Sequence, residues 1–319
     1  MTKLAVEELF RTKERTLELE LLTPGCTLQR EVESPMLSSP GLVLAGFRDR
    51  FLRGRLQVLG ETEVRWLNSL DEAKMRETLD SFLDLQMPAL FVTKRLDVPQ
   101  VLLELATRHD IPVLRSALKT GDFYRRLQPY LEERFAPHTT THGSLADVYG
   151  VGVMFIGRSG IGKSECVLDL VERGHRLVAD DLILITKRGN DVLIGRGHEQ
   201  QRHHMEIRGV GIVDIKALFG IRSIRQQKRV EVVVRLVDWD DKVQYDRTGL
   251  ETEDIEMLGV RLPRITIPLN AGKNITVISE VVAMNHLLKY SGVNSARLFN
   301  QRLMDRMQPV RAYLEEDYE

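Results

Sequence analysis

The chain has 319 residues, 43% of them hydrophobic, which is long enough and apolar enough for two cored domains and argues against large disordered regions. Lys and Arg number 45 against 46 Asp and Glu, and a formal net charge of -1 excludes a global field that would draw the molecule onto nucleic acid or an anionic membrane. Cys26 and Cys166 cannot build a disulfide framework, the N-terminal MTKLAVEELFRTKERTLELELL lacks the apolar core of a signal peptide, and no apolar run approaches the roughly 18 to 20 residues of a membrane span, so a soluble cytoplasmic protein is expected.

Residues 1 to 135 alternate apolar runs with helical periodicity. Strands are expected at Gly41 to Gly46, Arg55 to Leu59, Ala89 to Thr93 and Ile111 to Arg115. Helices are expected over Asp71 to Leu83, where Ala73, Met75, Leu79, Phe82 and Leu83 recur at helical intervals, and over Val98 to His109. This is a small α/β domain without a dense cluster of catalytic residue types, for which a structural or assembly role is the plainest expectation.

Arg134 to Gly143, with its proline, three threonines and glycine, reads as a domain entry, and the boundary is placed near residue 136. Beyond it lie β-branched runs expected as strands at Val151 to Ile156, Arg176 to Ile185, Val192 to Ile194, Arg229 to Val237 and Ile275 to Ser279. From Glu280 to Glu319 the pattern turns helical, with Val281, Val282, Met284, Leu287 and Leu288 on one stripe. The second domain, 136 to 319, is therefore a β-rich α/β unit with a C-terminal helical segment.

Between the first of these strands and a helix expected from Lys163 to Arg173 stand Gly157, Arg158, Ser159, Gly160, Ile161, Gly162, Lys163 and Ser164, which match G-x-x-x-x-G-K-[ST]. Strand, loop and helix in this order make an anion cup: glycines let successive amide hydrogens point inward at a helix N-terminus. Lys163 is expected to reach the β and γ phosphates, and the Ser164 hydroxyl is suited to a magnesium ion. A nucleotide-dependent phosphotransfer enzyme follows.

Phosphoryl transfer also needs a carboxylate for the metal and a group for the nucleophile's proton. Asp180 and Asp181 sit inside the apolar run Arg176 to Ile185, an expensive place for two carboxylates without a metal or proton to share, although a pair capping a turn between two strands is the alternative. Further on come Met205, Glu206, Ile207, Arg208, Gly209, Val210, Gly211, Ile212, Val213 and Asp214, where Glu206 and Arg208 alternate with apolar residues between glycines. By themselves these fit an active site or a glycine-bent strand equally. His203 and His204 lack companions for a transition-metal site, and the basic run Arg222 to Arg229 has no interleaved aromatics, so no nucleic-acid groove is expected.

Together with His142-Gly143, Asp147-Val-Tyr-Gly-Val-Gly152 and Pro268-Leu-Asn-Ala-Gly-Lys273, these segments resemble the bacterial HPr kinase/phosphorylase family, bifunctional enzymes acting on a regulatory serine of the phosphocarrier protein HPr. The motifs lie in the C-terminal half. The resemblance implies a kinase domain similar in fold to phosphoenolpyruvate carboxykinase, with Ser164 and Glu206 as magnesium ligands. It places Asp181 as the base that accepts the serine proton in ATP-dependent, or pyrophosphate-dependent, phosphorylation. In the reverse reaction, inorganic phosphate attacks phosphoserine and releases pyrophosphate, and Asp181 is the acid. A neighbouring carboxylate and a dry strand environment would raise its pKa and suit it to both tasks. His142 and Arg247 match the family's active-site histidine and charge-stabilising arginine, and Lys163 its loop lysine. Pro268, Leu269, Asn270, Ala271, Gly272 and Lys273 match the segment associated with dephosphorylation. HPr as partner, a homohexamer, allosteric response to glycolytic intermediates, and control of carbon catabolite repression and sugar uptake are implied in the same way. A phosphoenolpyruvate carboxykinase-like or small-molecule kinase, and a nucleotide-gated switch, are the competing readings.

Overall fold

The computed structural model describes residues 3–49, 51–243, 245, 253–270 and 272–316. The chain divides into two compact units, residues 1–136 and 137–319.

In the first unit the elements are β1 (Leu4–Ala5), α1 (Val6–Leu17), β2 (Leu19–Leu21), β3 (Glu31–Val32), α2 (Gly41–Leu44), β4 (Gln57–Leu59), α3 (Glu61–Asn68), α4 (Glu72–Leu83), β5 (Leu90–Val92), α5 (Gln100–Arg108), β6 (Val113–Ser116) and α6 (Thr120–Phe135). Strands β4, β5 and β6 run parallel in a four-stranded sheet of order β2-β6-β5-β4, with β2 antiparallel at the edge. Such strands are covered on both faces, and their side chains alternate between two cores. Val58, Phe91 and Leu114 pack with Phe123 and Leu127 of α6, whereas Leu59, Leu90 and Val92 pack with Phe82 of α4 and Leu105 of α5. Helix α4 begins where Asp71 Oδ1 accepts from the Lys74 amide at 2.8 Å, which satisfies one of the free amides of its first turn.

One expected strand is not there. Gly41 to Gly46 contains the short helix α2, closed by Leu44 N–H donating to Pro40 O at 2.8 Å. Only Leu44 of that helix is buried, and a run of four apolar residues cannot by itself distinguish helix from strand. Helices α1 and α6 were not foreseen; one is heavily charged and the other carries Pro129 in its interior, which masks the apolar spacing.

The second unit runs β7 (His138–His142), β8 (Ser144–Val148), β9 (Val151–Ile156), α7 (Lys163–Glu172), β10 (Arg176–Ala179), β11 (Leu182–Arg188), β12 (Val192–Gly197), β13 (His204–Ile207), β14 (Gly211–Asp214), α8 (Ile215–Phe219), β15 (Gln227–Arg229), β16 (Val232–Asp238), β17 (Glu253–Met257), β18 (Val260–Leu269), α9 (Ile275–Tyr290) and α10 (Ser295–Glu316). A six-stranded sheet has the order β10-β8-β9-β16-β18-β17, a four-stranded one the order β15-β12-β11-β7, and β13 with β14 forms a hairpin. Helices α7 and α9 cover one face of the larger sheet: Val167, Leu170 and Val282 join Phe155, Val234 and Leu236 in one core.

Four expectations change here. The run Arg176 to Ile185 is not one strand: β10 belongs to the large sheet and β11 to the smaller, and the chain crosses between them at Asp180 and Asp181. Arg229 to Val237 is likewise divided between β15 and β16. Ile275 to Ser279, expected as a strand, is the start of α9; Asn274 Oδ1 caps it by accepting from Val277 N–H at 3.0 Å, and this local cap outweighs the β preference of Ile275, Thr276 and Val277. The apolar stripe of α9 is split as well, since Val282 is buried while Val281, Met284, Leu287 and Leu288 are exposed. Among the described residues no helix is long and apolar enough to cross a membrane.

Candidate active site

Strands β9, β16 and β18 are parallel neighbours, so their carboxyl ends share one edge of the large sheet. That edge is where open α/β sheets hold ligands. Strand β9 delivers the glycine loop 157–164, β16 delivers Trp239, and β18 delivers the segment ending in Lys273.

The loop turns in a conformation that only glycine adopts cheaply. Gly157 has φ 154°, and a Cβ there would lie 2.6 Å from the Leu236 carbonyl oxygen of β16. Gly160 has φ 75°, and its missing Cβ leaves room for a guanidinium: the built position is 2.7 Å from Cζ of Arg208. Arg208, arriving from the end of β13, is therefore laid against the loop. Lys163, first residue of α7, donates from Nζ to the carbonyls of Gly157 at 3.1 Å and Arg158 at 3.0 Å. Arg158 reaches across to β16 and grips Asp238 through both oxygens, Nε to Oδ2 at 2.6 Å and Nη2 to Oδ1 at 2.8 Å. That pairing holds the Asp238 carboxyl below its ordinary range and the guanidinium above its own.

The two aspartates at the sheet crossing part company. Asp181 has φ 64°, a strained left-handed setting for a non-glycine residue, stabilised by Gly143 N–H donating to its carbonyl at 3.0 Å. Asp180 is buried, and its Oδ1 accepts from the Ser144 hydroxyl at 2.6 Å and the Ser164 hydroxyl at 3.1 Å. Its Oδ2 is buried with no hydrogen-bond partner among the described residues. Burial pushes this carboxyl above its usual range, against the pull of the two serines and the Asp181 amide. Asp181 is not in the dry strand environment expected of it. Its side chain is 62% exposed, and Nδ1 of His142, itself 83% exposed, stands 3.8 Å from its Oδ1. The carboxyl displaced upward by desolvation is Asp180, because it is Asp180 that the crossing turns inward.

On β13, Met205 and Ile207 face the core while Glu206 faces out, and Arg208 follows in the turn. Gly209 and Gly211 take positive φ at the hairpin turn, Val210 and Ile212 are exposed, Val213 packs against the core, and Asp214 caps α8 by accepting from Ala217 N–H at 3.0 Å. That backbone bond, with smaller contributions including His204 and His203, lowers the Asp214 pKa. Asp214 is thus occupied as a helix cap. Pro268 and Leu269 finish β18 opposite Val237 and Asp238. Lys273 Nζ donates to Pro268 O at 3.1 Å and lies 5.3 Å from the centroid of the Trp239 ring. Arg247 and Ala271 lie outside the described residues.

Ser144, Asp238 and Trp239 belong to this neighbourhood without having been singled out. The only sequence signal was the run Asp238-Trp-Asp-Asp241 closing an apolar strand; for Ser144 there was none beyond its place after His142-Gly143.

Known proteins match the sequence of both units. The family model "HPr Serine kinase N terminus" matches residues 4–131, and "HPr Serine kinase C-terminal domain" matches residues 133–303. The chain is 43% identical over 327 residues to the "HPr kinase/phosphorylase" of Prosthecochloris aestuarii, covering 99% of this chain and 96% of that protein. It is 44% identical over 305 residues to the protein of the same name from Geobacter sulfurreducens, covering 96% of each. Among solved structures, that of the "Hpr(Ser) kinase/phosphatase from Coxiella burnetii" is 33% identical with a TM-score of 0.45, covering 50% of this chain and 98% of that one. The chain belongs to the HPr kinase/phosphorylase family.

Proposed function

We propose that this chain transfers the γ-phosphoryl group of ATP to a regulatory serine of HPr and, in reverse, uses inorganic phosphate to take that group back as pyrophosphate. The observation that carries the site assignment is the half-buried contact of Ser164 with Asp180 at the start of α7, with the second, buried Asp180 oxygen left over among the described residues. In this reading the amides of loop 157–164 and the N-terminus of α7 hold the β and γ phosphates. Lys163 exchanges two neutral carbonyls for phosphate oxygens, and Arg208 meets the phosphate charge over Gly160.

Ser164 Oγ and the spare Oδ2 of Asp180 are hard oxygen donors of the kind Mg2+ requires, and Glu206 is the further carboxylate we assign to it. Held there, Mg2+ would supply charge neutralisation to the phosphate groups. Asp181 takes the serine proton as the serine oxygen forms its bond to phosphorus and the β-γ bridge breaks. In reverse it returns that proton to the serine oxygen while a phosphate oxygen attacks. The exposure of Asp181 and of His142 beside it suits a nucleophile presented on the surface of another protein, which a sealed pocket would shut out. Arg247 and Pro268 to Lys273 are assigned to charge stabilisation and to the phosphorolytic direction. Residues 1–135 contribute nothing to this set, which supports an assembly role for them. A cytoplasmic homohexamer is the assembly we infer, and the exposed apolar residues of α9 offer material for subunit contacts.

Incubation of purified protein with HPr and ATP, then with phosphate, tests the reading. Phosphoserine should form first and pyrophosphate appear as it disappears; absence of both products would sink it.

A further inference from the structure

The ends of β16 and β18 carry a group for which phosphate chemistry has no use. Trp239 follows directly on Asp238, the carboxylate that holds Arg158 of the glycine loop, and its backbone N–H donates to Leu269 O at 3.1 Å. The ring of Tyr245 lies 5.2 Å from the indole, centroid to centroid, with the planes 34° apart. Lys273 Nζ stands 5.3 Å from the same indole centroid. Both aromatic residues have their polar handles turned into the loop. Trp239 Nε1 donates to Asp241 Oδ1 at 2.6 Å, while the Tyr245 hydroxyl accepts from Asp240 N–H at 3.2 Å and donates to Asp238 O at 3.4 Å. What remains on offer is aromatic surface beside a cation. Trp239 is 42% exposed and, among the described residues, neither ring belongs to a hydrophobic core.

We propose that Trp239, with Tyr245 and Lys273, is the stacking platform for the base of the nucleoside triphosphate. The inference rests on the reading of loop 157–164 as the phosphate holder and adds the subsite for the opposite end of the same ligand. Neighbouring strands are about 4.8 Å apart, so the end of β16 is within reach of a ligand anchored by its phosphates at the end of β9. Every base has a π face, so an aromatic side chain can stack on any of them. The lysine adds attraction for an electron-rich ring. Because no hydrogen-bonding group of the pair is left free, the platform accepts purines by area rather than by edge pattern, and ATP and GTP should both be bound.

The proposed reactions supply their own control, since phosphate and pyrophosphate have no base. The test is to measure KM for ATP in the forward direction and KM for inorganic phosphate in the reverse, on the full chain with Trp239→Ala and Trp239→Phe. Trp239→Ala should raise KM for ATP roughly tenfold, the equivalent of about 1.4 kcal/mol of lost stacking, and Trp239→Phe should recover most of it. KM for phosphate should move less than twofold. Equal rises for both ligands, an unchanged KM for ATP, or a rise confined to the protein substrate would each overturn the platform.

A binding measurement keeps the proposal testable should the variants fold poorly. The chain has two tryptophans, so Trp66→Phe leaves Trp239 as sole reporter. ATP should quench its fluorescence and inorganic tripolyphosphate should leave it unchanged; equal quenching by both would refute stacking. Lys163→Ala separates the two claims. If it leaves ATP binding intact, the phosphate-loop reading fails; if it abolishes ATP binding while Trp239→Ala has no effect, only the base platform fails.

Discussion

The two ends of α7 are both built of polar and charged groups, and they differ in what those groups have left over. At the C-terminal end, Glu280 of α9 accepts from Arg173 at 3.0 and 2.7 Å, lies 3.0 Å from His175 Nε2, and accepts from the Tyr149 hydroxyl at 3.4 Å. The Tyr149 and His175 rings meet edge to face at 4.6 Å. Both carboxylate oxygens are engaged, and the pKa of Glu280 falls to about 2, first through Arg173 and then through His175. At the N-terminal end, among the described residues, Asp180 keeps one buried oxygen unpartnered, Asp181 sits in a strained backbone conformation, and Lys163 bonds to loop carbonyls. A cluster that closes on itself joins two helices. A cluster with unmet capacity, held in place by the fold, is what a phosphate and a cation require.

Substitutions should separate the two ends. The largest effect is expected from Lys163→Ala, which removes the cation aimed at the phosphates: kcat/KM should fall roughly a thousandfold in both directions, about 4 kcal/mol, with an unchanged melting temperature. Melting and steady-state assays on one preparation decide this, and a matching loss of stability would erase the contrast. Glu280→Gln should do the reverse. Losing the charge that Arg173 and His175 face should cost about 3 kcal/mol of stability, read as a lower urea midpoint, with activity per folded molecule retained.

Acid titration of stability gives a smaller effect with a defined sign. The folded-state pKa of Glu280 lies below its ordinary value of 4.5, so its contribution is complete above about pH 4.5 and is lost as pH falls towards about 2. Asp180 has the opposite sign. Its pKa is raised, so ionisation costs stability as pH rises past the usual aspartate range and through its raised value. The wild type should therefore lose stability below pH 4.5 and Glu280→Gln should lose less. Asp180→Asn carries the smallest stability effect, a gain of about 1 kcal/mol at neutral pH, because it removes a buried carboxylate's desolvation cost; activity should be lost with it. Chemical denaturation with parallel kinase assays measures both, and destabilisation by Asp180→Asn would place Asp180 with the self-satisfied clusters.

Much of the site was legible because its parts are local. The glycine loop, its lysine and serine, the preceding strand and the following helix are consecutive, and their pattern needs no distant partner. Asp180 and Asp181 were legible as a pair but not as individuals. They are adjacent in sequence, and the crossing from β10 to β11 puts one against Ser144 and Ser164 and the other in solvent. The strand expected at Ile275 to Ser279 shows the same limit: β-branched composition is a weak preference, and the Asn274 cap with the core around Cys166 and Val282 decides for helix.

The α/β class, the phosphate-loop pattern and the family resemblance could be read along the chain alone, since all are carried by short segments whose chemistry depends on spacing. Folding was needed to establish which carboxylate stands beside the loop serine, that Arg208 lies against Gly160, and that Trp239 shares a strand-end edge with the loop and with Lys273. These are contacts between residues far apart in sequence, and they exist because parallel pairing of β9, β16 and β18 gathers three separate strand ends on one edge.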